Sequence, residues 1–188
     1  MPYRQIEFRA DQYYHVYNRG NNFQLIFFAR ENYLYFLRLL RKYLLTEADM
    51  VAYCLMPNHY HLLLFLKKDE LSSFMQPLSL AYTKSINKRF GRAGSLFQGP
   101  FKAIHVERDE YLLHLSRYIH LNPFVAGLVT RAEDWEFSSY REYLGLRPGT
   151  LPKPGPVLSQ FSSTDAYRKF VEEGVRHDRI GIEHLAID

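Results

Sequence analysis

The sequence of 188 residues lacks the features that place a chain in a membrane or in an oxidising compartment. It has one cysteine, Cys54, so no disulfide can form within the chain, and a reducing environment is expected. No run approaches the roughly 20 apolar residues that span a bilayer. The polar segment 1–10 has no apolar signal core. The sequence therefore predicts a soluble, cytoplasmic protein with no membrane partner.

A strong charge of one sign is also lacking. The formal net charge is +4, which permits a phosphate-rich partner without demanding one. Hydrophobic residues make up 47% of the chain, enough for a packed core and too many for wholesale disorder. Aromatic residues make up 16%; much of this belongs in a core, and some could stack on unpaired bases.

Hydrophobic periodicity predicts seven elements in the order β-α-β-β-α-β-α. The predicted strands cover 13–18, 51–56, 59–66 and 101–106, and the predicted helices cover 30–45, 72–90 and 110–121. The first six elements follow the ferredoxin-like split βαβ pattern, an α+β fold whose antiparallel sheet carries helices on its faces. That fold hosts many activities, so it does not decide the function.

Prolines and small polar residues set the predicted helix ends. Ser72 and Ser73 are expected to cap the second helix, and Pro77 is tolerable there only in the first turn. Asp109 is expected to cap the third helix, and Pro123 is expected to stop it.

The composition changes after residue 145. Four prolines and two glycines between 147 and 156 predict an extended linker, and 164–175 predicts a short amphipathic helix. We therefore expect one domain over 1–145 and a Pro-rich linker with a short helical C-terminal appendage over 146–188.

Two histidines stand two residues apart on a predicted strand. Side chains at this spacing point to the same face, so His59 and His61 can converge on one metal ion, while Tyr60 packs on the other face. Two ordinary histidines at the start of a strand would show the same pattern, because short motifs of this kind are common by chance.

A second pattern lies on the third predicted helix. Tyr118 and Asn122 are four residues apart and share a face, so a phenol and an amide oxygen emerge side by side. The adjoining apolar stripe consists of Leu112, Leu115 and Ile119. A tyrosine on a core helix followed by an Asn-Pro stop signal would look the same.

Five segments, in order over about 13–145, resemble the single-tyrosine HUH transposases, and above all their REP-associated branch. Residues 52–64, AYCLMPNHYHLLL, resemble the HUH strand, and residues 118–129, YIHLNPFVAGLV, resemble the catalytic helix and the turn beyond it. The other three segments are 14–20, 94–98 and 135–145. One departure is Phe124-Val125, where Val-Arg is common in the family; it removes a basic residue near the site.

The resemblance implies an HUH endonuclease that cleaves and rejoins single-stranded DNA beside a hairpin, at palindromes of the REP type. It implies Tyr118 as the nucleophile, which forms a 5′-phosphotyrosine, and His59, His61 and Asn122 as ligands of Mg²⁺ or Mn²⁺. It leaves open a monomer or a homodimer. No residue is identified as the general base; the candidates are His114 and His120, for which a structural role is also open.

Basic residues suggest where DNA would bind. Between residues 84 and 108 six basic residues oppose one acidic residue, a local balance of +5. The DNA-binding candidates are Arg19, Lys84, Lys88, Arg89, Arg92, Lys102 and Arg108. A solvated helix face followed by a loop is the alternative explanation.

Three other functions are compatible with parts of these patterns. A non-catalytic module that binds structured DNA would keep the fold without the chemistry. A small metal-dependent hydrolase would activate water at the two histidines and form no covalent adduct. An interaction protein would use the histidines structurally and bind no metal.

Overall fold

The computed structural model describes residues 7–174. Four strands form one antiparallel sheet in the order β2-β3-β1-β4. The strands are β1 (Tyr13–Arg19), β2 (Ala48–Met56), β3 (His59–Leu66) and β4 (Lys102–Val106). The helices are α1 (Arg30–Leu44), α2 (Leu71–Phe90), α3 (Asp109–Val125), α4 (Tyr140–Tyr143), α5 (Gly155–Leu158) and α6 (Thr164–Glu173). Short 3₁₀ turns occupy Asn21–Phe23 and Ala132–Asp134.

The sheet has the connectivity of a split βαβ unit. β3 lies between β1 and β2 and is antiparallel to both, so β1 and β2 run in the same direction. β4 pairs with the other side of β1. The predicted α+β ferredoxin-like fold is therefore confirmed.

The two faces of the sheet carry different helices. Alternation along β3 sends Tyr60 and Leu62 to the face covered by α1 and α2, where the Tyr60 ring centroid lies 5.1 Å from that of Phe36. Leu63 lies on the opposite face, in the core formed with α3. The buried stripe of α3 contains Leu112, Leu115 and Ile119, as its periodicity predicts.

β2 begins at Ala48, three residues earlier than predicted. The irregularity lies between Met50 and Ala52, where the register with β3 shifts. Asp49, a residue that disfavours strands, is held there by the ammonium of Lys67 at 2.6 Å. A bulge and a long-range ion pair thus extend the strand beyond its apolar run.

The predicted start of α2 is wrong. The helix begins at Leu71 after Glu70, and the Ser73 hydroxyl donates to the Glu70 carbonyl at 2.7 Å instead of capping the helix. Pro77 consequently lies in the second turn and not in the first. The predicted end is confirmed, because Gly91 caps the helix with φ +61°, a left-handed conformation that suits glycine.

Pro123 does not stop α3, contrary to the prediction. The helix continues to Val125 and ends at Gly127, whose φ is +69°. Two hydrogen bonds complete a Schellman motif there: Gly127 N–H donates to Phe124 O at 2.9 Å, and Leu128 N–H donates to Pro123 O at 2.9 Å. Asn122 therefore lies inside the helix, with its backbone carbonyl bonded to Ala126 N–H at 3.0 Å.

The segment 146–174 packs on α3 and α4. Val157, Tyr167 and Val171 are fully buried in the same core as α3. The predicted amphipathic helix is present as α6, and the predicted linker contains the short helix α5. The domain boundary at residue 146 stays a prediction, and residues 175–188 of the appendage lie outside the described residues. None of the helices between residues 7 and 174 has the length and apolar character needed to cross a membrane.

Candidate active site

The β2–β3 hairpin positions the two histidines. Its two-residue turn is Pro57-Asn58, after which His59 and His61 follow on one face of β3. Their ring centroids lie 5.0 Å apart. His61 is fully buried and His59 is half-buried. The predicted juxtaposition of two imidazoles on one face of the sheet is present.

Asn122 of α3 lies between these imidazoles. Its Oδ1 is 3.3 Å from His59 Nε2, and its Nδ2 is 3.4 Å from His61 Nε2. The amide thus meets the same ring nitrogen of each histidine. Because O and N of an amide are assigned from the hydrogen-bond network, rotation of the group brings its oxygen to either ring.

The other nitrogen of each ring also has a partner. His59 Nδ1 is 2.7 Å from Asn58 Oδ1, and His61 Nδ1 is 3.0 Å from His15 Nε2. An acceptor at Nδ1 fixes the proton there and leaves the Nε2 lone pair facing Asn122. This is the arrangement in which metal-bound histidines are usually held.

Burial keeps both imidazoles neutral. Loss of hydration lowers the pKa of His61 well below its ordinary value, and His59 and His15 lower it further. Loss of hydration also lowers the pKa of His59, with a smaller contribution from the charge of Arg19 and an opposing one from the hydrogen bond to Asn122. A neutral imidazole is the form that binds a metal ion.

The donor set fits a small divalent cation. Within residues 7–174 no group of three or more His, Cys, Asp or Glu side chains could hold a metal ion. The candidate ligands are therefore two imidazole nitrogens and the Asn122 amide oxygen, with room for phosphate or water. Imidazole with a hard oxygen ligand is compatible with Mn²⁺, and on softness less so with Mg²⁺.

Tyr118 adjoins the histidines from α3 of the same chain. Its ring centroid is 5.3 Å from that of His61, at an interplanar angle of 87°, and 6.4 Å from that of His15. The side chain is half-buried, so packing supports the ring without closing it off. A phenol, two imidazoles and an amide therefore meet at one place.

Comparison with known proteins identifies the family. The model of the family described as "Transposase IS200 like" matches residues 10–122, which is more than half of the chain and includes every residue of this cluster. The chain belongs to the IS200-like transposase family. The resemblance to the REP-associated branch is also confirmed by the relatives of this transposase. The chain is 27% identical over 103 residues to a Haemophilus influenzae protein named for the REP-associated tyrosine transposases; the match covers 49% of this chain and 58% of that relative.

A solved structure shares the fold. A REP-associated tyrosine transposase bound to a REP hairpin superimposes with a TM-score of 0.62 and 20% identity, covering 81% of this chain and 94% of the other. The likeness extends beyond the family match, because 81% of the chain exceeds the span 10–122.

His15 is a site residue that sequence reasoning missed. It is fully buried on β1 and touches His61, the residue across from its neighbour Tyr17 in the strand pairing. The motif around it was recognised as a first strand, but the contact depends on the β1–β3 register. No local signal in the sequence reports that register.

The basic candidates for DNA binding divide between two sides of the transposase. Arg19 pairs with His59 across β1 and β3, and Lys102 pairs with Tyr17 on β4, so both lie near the cluster. Arg108 lies at the start of α3, with its guanidinium 5.5 Å from the centroid of the Tyr111 ring.

The remaining basic candidates belong to α2 or follow it, and α2 covers the face of the sheet opposite the histidines. They are Lys84, Lys88, Arg89 and Arg92. Arg89 forms an ion pair with Glu31 at 3.7 Å, and Arg92 donates to Gln24 at 2.8 Å. The local excess of positive charge in the sequence is thus not gathered around the phenol.

Neither candidate base lies against the phenol in a free state. His120 is fully buried on another side of α3, where its ring nitrogens lie 2.7 Å from Tyr167 Oη and 2.8 Å from Ser139 Oγ. His114 Nδ1 is 2.9 Å from Arg117.

Proposed function

We propose that this transposase cleaves and rejoins single-stranded DNA beside a hairpin, with Tyr118 as the nucleophile. The observation that carries the proposal is the position of the half-buried Tyr118 ring, 5.3 Å from the ring of His61 and one helical turn from Asn122. Membership of the IS200-like transposases gives the class of reaction, DNA strand cleavage. The hairpin substrate rests on the relative of the same fold that binds a REP hairpin, and REP-type palindromes are the proposed targets.

We propose that His59, His61 and Asn122 hold Mg²⁺ or Mn²⁺. Transposases of this type generally use a divalent metal ion. Bound there, the ion would polarise the scissile phosphate and offset the negative charge that grows on it. Asn58 and His15 would keep the two Nε2 lone pairs directed at the ion through their contacts with Nδ1.

The covalent step belongs to Tyr118. Its phenol loses a proton, and the oxygen forms a bond to phosphorus while the bond from phosphorus to the 3′ oxygen breaks. The 3′ oxygen takes up a proton and leaves as a 3′-OH, and Tyr118 carries the 5′ phosphate. The phosphotyrosine conserves the energy of the phosphodiester bond, so attack by a 3′-OH can rejoin the strand without ATP.

All of these groups come from one chain. α3 lies against the sheet of its own subunit, and Asn122 reaches both histidines there. We therefore propose that a monomer carries a complete active site and that Tyr118 acts in its own subunit.

The experiment is to trap the covalent intermediate. Single-stranded hairpin DNA with a labelled 5′ phosphate beyond the cleavage site is incubated with Mn²⁺, and a denaturation-resistant protein–DNA adduct is sought. Tyr118→Phe should abolish the adduct and retain hairpin binding. The matched control is Tyr111→Phe, which removes a hydroxyl from the same helix two turns earlier and should form the adduct.

An adduct that survives Tyr118→Phe would contradict the assignment of the nucleophile. Hairpin binding by the unaltered protein with no adduct in any divalent metal would favour a non-catalytic DNA-binding module. Cleavage to a free 5′ phosphate without an adduct would favour a hydrolase that uses water.

A further inference from the structure

A buried chain of polar side chains grips the catalytic helix from the flank opposite the active site. Its centre is the imidazole of His120, which lies within hydrogen-bond distance of Tyr167 at Nδ1 and of Ser139 at Nε2. The Tyr167 hydroxyl is also 3.1 Å from Ser116 Oγ. All four side chains are fully buried.

These contacts tie α3 to two other parts of the fold. Ser116 and His120 are one turn apart on α3, so the single hydroxyl of Tyr167 bridges both of them to α6. On the other side Ser139 Oγ accepts from Tyr53 N–H at 2.9 Å, which anchors the chain of contacts to β2. The helix is therefore held to its neighbours by directional bonds as well as by apolar packing.

The geometry of a helix on a sheet explains why such bonds matter. His120 and Tyr118 are two residues apart, about 200° around the helix, so they project from opposite flanks of α3. Apolar packing against the sheet is not directional and resists rolling of the helix about its axis only weakly. A roll of about 10° would move an atom about 6 Å from the axis by about 1 Å.

We infer that Tyr167 is a positioning residue for the active site. Through His120 and Ser116 it sets the roll of α3, and so presents Tyr118 and Asn122 to the paired histidines. Tyr167 and Ser139 both lie beyond residues 10–122, the span that the family model matches. The inference rests on the proposed function and assigns a role in it to the C-terminal segment.

The chain supplies matched variants for a test, because three neighbouring tyrosines are buried side by side. Tyr167→Phe removes the hydroxyl that contacts α3. Tyr143→Phe removes a hydroxyl that donates to Val51 O at 3.0 Å and leaves α3 untouched. Tyr140→Phe removes a buried hydroxyl that has no hydrogen-bond partner among the described residues 7–174.

Three properties are measured for each variant: the single-turnover rate of adduct formation, the Kd for the hairpin and the Kd for Mn²⁺ without DNA. Tyr167→Phe should lower the rate about 10-fold or more, since a misplacement of 1 Å can reduce a rate about 100-fold. It should weaken Mn²⁺ binding through displaced Asn122 and leave the hairpin Kd unchanged. Tyr143→Phe and Tyr140→Phe should keep the unaltered rate and Mn²⁺ affinity.

The outcomes separate the inference from the function beneath it. If the unaltered protein forms the adduct and Tyr167→Phe matches Tyr143→Phe in rate and Mn²⁺ affinity, the positioning role is refuted and the function stands. If no protein forms an adduct but Tyr167→Phe alone weakens Mn²⁺ binding, the positioning of Asn122 stands and the proposed function does not.

Discussion

Replacing Arg147 with alanine should destabilise the fold by about 2–3 kcal/mol. The guanidinium of Arg147 donates to the carbonyls of Glu136 at 2.7 Å and Ser138 at 3.0 Å, and to the carboxylate of Glu142 at 2.6 Å. The Glu142 side chain is only 9% exposed, so the variant strands a nearly buried charge. Removing one partner of a buried pair costs about 3–5 kcal/mol, and the 29% exposure of Arg147 reduces that figure.

The effect reaches the active site through the loop that Arg147 holds. That loop contains Ser139, which contacts His120 on α3. Urea unfolding can be followed by the fluorescence of Trp135, the one tryptophan of the sequence, whose Nε1–H donates to Leu55 O at 3.0 Å. A change in the midpoint without a change in the slope would report stability alone.

The double variant supplies the control. Glu142→Ala with Arg147→Ala should be less destabilised than the sum of the two single variants, by about 1–2 kcal/mol, because the second change removes the stranded charge. A loss below about 0.5 kcal/mol for Arg147→Ala would refute the reasoning, since that is the size of an ordinary surface substitution. It would mean that the segment after residue 146 does not brace the fold.

Three further predictions concern pH, salt and metal. Burial lowers the pKa of His120 to about 3, so its folded form stays neutral, and the resulting stability is present above the unfolded pKa and is lost as pH falls below it. In metal-free protein the stability gap between the unaltered chain and His120→Gln should narrow by about 2 kcal/mol between pH 7 and pH 5; an unchanged gap in urea titrations would contradict this. Arg19→Ala should reduce the salt dependence of single-strand binding by about 0.7 per phosphate contact, and Lys84→Ala, on the other face, should not; equal slopes in fluorescence anisotropy would argue against this division. Asn58→Ala should weaken Mn²⁺ binding about 10-fold by releasing the Nδ1 proton of His59, and an unchanged calorimetric Kd would exclude that role.

Local patterns were sufficient for the fold and for the central residues of the site. Alternation along β3 correctly separated Tyr60 from His61, because the pleat of a strand has a fixed period of two. The helical stripe of α3 correctly placed Tyr118 beside Asn122. These features depend only on the geometry of single elements, which a sequence displays directly.

Features that depend on tertiary contacts could not be predicted. The contact of His15 with His61 requires the register between two strands. Pro123 lies inside α3 because a Schellman motif at Gly127 outweighs the local preference against a helix before proline. The role of Tyr167 requires α6 to return across the chain and meet His120, 47 residues away in sequence.

The central claim is that one phenol, held beside two imidazoles, becomes covalently joined to DNA. The most direct measurement is mass spectrometry of the trapped adduct after digestion of both the DNA and the protein. The account predicts that the peptide containing Tyr118 alone carries the 5′-phosphorylated nucleotide. A nucleotide on any other of the 15 tyrosines would contradict it.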